Sequence, residues 1–135
     1  MKRTRLLNSA LSQVIAELGH TDGLVVGDAG LPIPPEVRRI DLAIEKGLPS
    51  FLAVLDVILS EMMVEEIVIA SEIHAANEAV YAGMIDAFRR HGIEPKISEV
   101  PHAEFKALTK EARAIVRTGE CTPYANVILR SGVVF

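Results

Sequence analysis

Apolar positions recur along this chain with two periods, and they divide it into alternating helices and strands. Leu11, Val14, Ile15 and Leu18 fall at helical spacing behind Asn8, a residue type whose short side chain caps helix starts. The pattern predicts a first helix, stopped by Gly19 through left-handed geometry. Leu24-Val25-Val26, between Gly23 and Gly27, reads as a buried strand with Asp28 at its end. Ala29 to Pro35 carries Pro32, Pro34 and Pro35, which restrict the backbone and remove amide donors, so this loop is stiff. Val37 to Ile44 predicts a second strand. Pro49 suits the start of a helix whose stripe is Phe51, Leu52, Val54, Leu55, Ile58, Leu59 and Met62.

Ile67 to Ala70 predicts a third strand. Asn77 is placed to cap a helix burying Val80, Tyr81, Met84, Ile85 and Phe88 and ending at Gly92. Ile93 to Val100 predicts an edge strand, because Pro95 cannot donate to a ladder. Phe105 to Arg113 reads as helix. Ala114-Ile115-Val116 and Asn126 to Leu129 read as strands, and Val133 to Phe135 as a short last one. Strands alternating with helices imply an α/β fold in three layers, with a mostly parallel central sheet and helices on both faces. No repeat, low-complexity tract or linker divides residues 1–135, so a single domain is expected. In such sheets ligands bind beyond the carboxyl ends of the strands.

Composition narrows the classes. Hydrophobic residues make up 50% but aromatics only 4%, and Trp is absent, so aliphatic side chains must fill the core. The formal net charge of -4 lacks the basic surface that nucleic acid binding relies on, and the Lys2-Arg3-Arg5 cluster is short. No apolar run approaches the roughly 18 to 20 residues of a membrane span. No apolar segment with a small-residue cleavage site opens the chain, so a soluble, cytoplasmic protein is expected. Cys121 is the single cysteine and has no intrachain disulfide partner.

Three polar clusters follow apolar elements: Gly19 to Asp22, Asp28 to Pro32, and Thr118 to Asn126. Together they supply an imidazole, carboxylates, a phenol and an amide, an inventory suited to proton transfer on a polyol. His20 leads as acid/base group, since imidazole titrates at about pH 6.5. The competing reading is a histidine that caps helix one through the dipole. Asp28 either receives sugar hydroxyls or bonds turn amides. Tyr124 and Asn126, two apart on extended chain, would face the same side. His102 is a ligand contact or a solvated helix-start residue, whereas His74 and His91 look structural. A metal held by His20, Asp22 and Asp28 is disfavoured, since His-x-Asp is a weak signal. Cys121 as nucleophile lacks an evident base. No Gly-rich phosphate loop is present.

Five segments taken together resemble the ribose pyranase and fucose mutarotase family, in its ribose branch. They are Leu18 to Asp22, Asp28 to Pro34, Gly47-Leu48-Pro49, Arg117 to Glu120, and Thr122 to Leu129, and the likeness covers essentially the whole chain. The resemblance implies interconversion of β-D-ribopyranose and β-D-ribofuranose, the form ribokinase phosphorylates, without a cofactor. By it, His20 matches the proton donor, and Asp28, His102, Tyr124, Ala125 and Asn126 match substrate-binding positions. Lys106, one turn beyond His102, joins the same pocket. It also implies a ring-shaped homo-oligomer, a decamer, with sites near subunit contacts. The opposing base stays open among Asp28, His102 and an ordered water. So do two other functions: a non-catalytic ribose-binding accessory of sugar uptake, and a mutarotase for fucose or another sugar. A purely structural ring protein is the third alternative. The central expectation is that His20 and the Tyr124-Ala125-Asn126 run converge on one ribose.

Overall fold

Asn8 Oδ1 accepts the Leu11 N–H at 2.9 Å and opens helix α1 (Ser9–Glu17) in the computed structural model, which describes residues Met1–Phe135. The helix ends as predicted, but not through Gly19. Leu18 turns the chain into extended geometry, and Thr21 is the left-handed residue at φ 68°. Strand β1 (Gly23–Gly27) follows and is buried along its whole length. Strand β2 (Arg38–Asp41) is shorter than the expected Val37 to Ile44, since only Ile40 of it is buried. Helix α2 (Phe51–Leu59) is capped by Ser50, whose hydroxyl accepts from Ala53 N. Pro49 therefore lies one residue ahead of the cap and not inside the helix.

Strand β3 (Val64–Ala70) leads through a short helix α3 (Ile73–Ala76) into helix α4 (Glu78–Arg90). Asn77 precedes α4 but makes no capping bond. Gly92, at φ 67°, turns the chain after α4. Strand β4 (Lys96–Val100) is an edge strand, as Pro95 foretold, and starts later than Ile93. Helix α5 (His102–Leu108) starts three residues before the expected Phe105 and gives way to a 3₁₀ turn. Strands β5 (Ala114–Arg117) and β6 (Val127–Ser131) complete the sheet, and Val133 to Phe135 form no strand.

The sheet order is β2-β5-β1-β6-β3-β4. β1, β2 and β5 run parallel, as do β3 and β4, while β6 runs antiparallel to both β1 and β3. Its reversal has a simple cause. Only residues 118–126 separate β5 from β6, and a parallel return needs a crossover of a dozen residues or more. The consequence for the site is direct: the start of β6 lies at the same edge as the carboxyl ends of the other five strands.

Alternate residues of each strand divide between two cores. Leu24, Val26, Ile67, Ile69, Val116, Val127 and Leu129 face a cluster of 25 buried residues built with α1, α2 and α4. Val25, Val68, Ile115 and Ile128 face a cluster of 8, covered by Phe105 of α5, Leu31 and Val37. Both faces are covered, but one layer is thick and the other is one helix and the proline loop. Phe51, Leu55 and Ile58 are fully buried, each worth about 1.5–3 kcal/mol of transfer free energy. No helix is long and apolar enough to cross a membrane.

Candidate active site

The carboxyl edge of the sheet gathers most of the expected residues. Asp28 leaves β1 and is held by β6's approach: Asn126 Oδ1 accepts the Asp28 N–H at 2.8 Å, and Asn126 Nδ2 donates to Asp28 Oδ2 at 2.9 Å. Gly30 N–H donates to Asp28 Oδ1 at 2.9 Å. The carboxylate is thus oriented by one side-chain and one backbone donor while keeping acceptor capacity. It borders a cleft of about 370 Å³ formed by the Asp28-Ala29-Gly30 loop and Glu120 to Pro123.

The cleft walls are tied by long-range bonds. Ala29 N–H donates to Glu120 O at 2.8 Å, and Arg117 Nε donates to Ala29 O at 3.0 Å. Glu120 Oε1 accepts from Phe51 N at 3.2 Å, at the start of α2, and its Oε2 accepts the Thr122 hydroxyl at 3.1 Å. Asn77 spends its amide here: Nδ2 donates to Thr122 Oγ1 and to Pro123 O, both at 2.8 Å. That is why it does not cap α4.

Tyr124 and Asn126 do not share a face. Tyr124 is left-handed at φ 57°, and Asn126 N–H bonds back to Tyr124 O, so the segment is a turn. Asn126 is 1% exposed and committed to Asp28, and Ala125 is fully buried in the core, leaving it only backbone to offer. The Tyr124 ring instead meets His102 edge-on, with centroids 5.0 Å apart. His102 Nδ1 is buried without a hydrogen-bond partner, and such atoms are few in folded proteins. Both carboxylate oxygens of Glu72 accept the His102 N–H at 3.0 Å, and that backbone donor is the chief cause of a Glu72 pKa below the ordinary value. Lys106, one turn beyond His102 on α5, lines a groove with Pro32 to Glu36, Ala103 and Lys110.

His20 is placed apart from all of these. It precedes β1, whereas Asp28 follows it, and the four steps from Gly23 to Gly27 span roughly 13 Å. Within one protomer, therefore, His20 and the Tyr124 to Asn126 segment lie at opposite ends of the sheet, so the expected convergence on one ribose can occur only across a contact between subunits. The same separation breaks the weighed metal set of His20, Asp22 and Asp28, and no group of three or more His, Cys, Asp or Glu side chains is placed to hold an ion. His20 does not cap α1 either. Its Nε2 lies 2.9 and 3.0 Å from the two oxygens of Glu65. The His20 turn is firmly built: Asp22 Oδ2 accepts from Gly19 N at 2.8 Å, and Thr21 N–H donates to Ser131 O at 2.8 Å. The Gly19 amide, helped by Arg113, lowers the Asp22 pKa.

Glu65 and Glu72 were not singled out by sequence reasoning, and Asn77 was read only as a helix cap. Each acts on a residue distant in sequence, and no local spacing announces that. Glu120 did stand in one of the polar clusters, without an assigned role.

The model of the RbsD / FucU transport protein family matches residues 1–134. The chain is 64% identical over 135 residues to a D-ribose pyranase of Rhodopirellula baltica, with all of both chains covered. It is 54% identical over 138 residues to a D-ribose pyranase of Laribacter hongkongensis, again with both chains fully covered. Among solved structures, Bacillus subtilis RbsD complexed with D-ribose superposes with a TM-score of 0.93 at 46% identity, covering 100% of each chain. A fucose mutarotase of Streptococcus pneumoniae in complex with L-fucose has a TM-score of 0.83 at 25% identity, also covering 100% of each.

Proposed function

We propose that this chain, which belongs to the RbsD / FucU transport protein family, catalyses the D-ribose pyranase reaction, interconverting β-D-ribopyranose and β-D-ribofuranose. The observation that carries this is the 64% identity to a D-ribose pyranase across the whole of both chains. The likeness in shape to a ribose-bound RbsD supports ribose as the sugar.

Ring opening of a cyclic hemiacetal moves two protons. The ring oxygen gains one, and the anomeric hydroxyl loses one. In this reading His20 donates to the ring oxygen, and Asp28, oriented by Asn126 and Gly30, receives hydroxyls and is the favoured base. His102 and Tyr124, in edge contact, hold the sugar's other side. One well-placed acid or base contributes about 10²- to 10⁴-fold, which suffices for so undemanding a step without a cofactor.

The separation of His20 from Asp28 supports a site assembled between subunits. In our reading a second copy brings its His20 to the Asp28 cleft, and the working unit is a homo-oligomer, the decameric ring. Exposed apolar side chains are available for such contacts: Ile44 at 79%, Val134 at 87% and the terminal Phe135. The same reading places the protein in the cytoplasm, supplying furanose to ribokinase.

The test is ribose ring-form exchange, followed by saturation-difference NMR at catalytic protein concentration. Accelerated exchange that His20→Ala abolishes, with the fold intact, supports the proposal. Ribose binding with no acceleration favours the accessory of sugar uptake, and faster exchange of fucose than of ribose moves the substrate.

A further inference from the structure

We infer that Glu65 is a positioning residue for His20: its carboxylate decides which imidazole nitrogen meets the sugar. The inference rests on the D-ribose pyranase reading and deepens it at the acid/base group. His20 Nε2 faces both Glu65 oxygens at 2.9 and 3.0 Å. An ionised carboxylate only accepts, so Nε2 carries the hydrogen of that contact. Nδ1 is then the nitrogen free to exchange a proton with a ligand.

The backbone is shaped for this pairing. Val64 pairs with Ser131 and Glu66 with Arg130, so two consecutive residues of β6 face three of β3. Glu65 is the inserted residue of a β-bulge, a device that re-aims one side chain. Glu66 accepts the Ser98 hydroxyl at 2.7 Å, bonding across to β4, while Glu65 turns to the His20 turn. The two halves of the pair share one frame. Thr21 N–H donates to Ser131 O, Ser131 N–H to Asp22 O, and Gly132 N–H to Met63 O.

Stability does not explain the arrangement. The side chains are 55% and 43% exposed, and exposed pairs contribute little to folding. His20 is also the only hydrogen-bond partner of the Glu65 carboxylate. What a carboxylate does there is hold an imidazole in one orientation and one tautomer. In ring opening the imidazolium form of His20, with a hydrogen on both nitrogens, gives its Nδ1 proton to the ring oxygen and is left as neutral imidazole, while the ring oxygen keeps the electron pair of its broken bond to the anomeric carbon. The anomeric hydroxyl gives its proton to the second base, and its electron pair forms the carbonyl. Glu65 keeps its contact with Nε2–H throughout.

The test compares Glu65→Ala and Glu65→Gln in the intact protein, with kcat and KM for ribose exchange measured separately. Glu65 does not touch the sugar, so Glu65→Ala lowers kcat by about tenfold or more, a part of what a general acid supplies, with KM within about twofold. Glu65→Gln retains an acceptor oxygen that can turn to Nε2–H, and it recovers most of the loss. Both variants melt with the parent protein. Wild-type kcat in Glu65→Ala, or no recovery in Glu65→Gln, overturns the assignment and leaves the D-ribose pyranase reading standing. A parent protein that fails to speed ribose exchange ends that reading, and this inference with it.

Discussion

Asn126 and Asp28 are 98 residues apart in sequence and are bound twice, once through the Asp28 backbone and once through its carboxylate. The buried amide, 1% exposed, thereby turns the start of β6 into a clamp on the end of β1. Asn126→Ala leaves the Asp28 N–H unpaired and opens a void, costing about 1–3 kcal/mol. Urea denaturation measures that cost. Ribose exchange should fall along with it, because Asp28 loses its orientation. A stable variant with full activity would refute the clamp.

Gly119, next to the cleft residue Glu120, packs by close approach against the Glu45 to Leu48 loop. A Cβ there would lie 2.5 Å from Leu48 O and 2.7 Å from Glu45 O, both backbone atoms. The loops are also bonded: Gly119 N–H donates to Pro49 O, and Gly47 N–H to Gly119 O. Gly119→Ala should therefore destabilise by roughly 1–3 kcal/mol through overpacking. It should raise KM for ribose as well, since Glu120 next to it ties the cleft to α2. Thermal melts and exchange kinetics check both effects.

The helices and strands were legible where one-dimensional period sufficed. Asn8 caps α1, the β1 apolar run is buried, and Pro95 precedes an edge strand, because each depends on neighbours in sequence. The misreadings have tertiary causes. Asn77 was drawn from its cap by Thr122 and Pro123, and Tyr124 was forced into left-handed geometry that spoils the two-residue alternation. Asp28, His102 and Tyr124 could be named from the resemblance, and they do stand along one edge of the sheet. That His20 lies at the other edge was readable in principle: β1 alone separates Asp22 from Asp28, and a strand carries its ends apart. Glu65 was not readable, since the bulge that aims it depends on pairing with β6.

Asp56 predicts the acid limb of stability. It accepts from Arg5 at 2.7 Å, from Arg90 at 2.8 Å and from His91 at 2.8 Å, joining the N-terminal segment, α2 and the end of α4. The Arg5 guanidinium first, then His91, holds its carboxyl well below the usual carboxylate range. A depressed folded pKa contributes stability that is complete above about pH 5 and is lost as pH falls through the unfolded value toward the folded one. Asp56→Asn should cost about 1–3 kcal/mol at pH 7. It should also flatten the fall of melting temperature between about pH 5 and pH 2. Equal slopes for the two proteins would remove Asp56 from the acid response.

Whether two copies share a site can be decided by mixing inactive proteins. If His20 and Asp28 serve the same sugar only across a subunit contact, His20→Ala and Asp28→Asn are each inactive alone. An oligomer assembled from both variants then contains contacts where an intact His20 from one copy faces an intact Asp28 from another. Random assembly of equal amounts restores up to about a quarter of parental activity per site. Restoration must appear only after the two are unfolded and refolded together, because preformed assemblies do not exchange chains on mixing if the contacts are tight. Sites complete within one protomer give no restoration at any ratio, since every chain would carry one lesion. The strand between the two residues makes the first outcome the expected one: β1 holds its ends roughly 13 Å apart, too far for one sugar to touch both without a second chain.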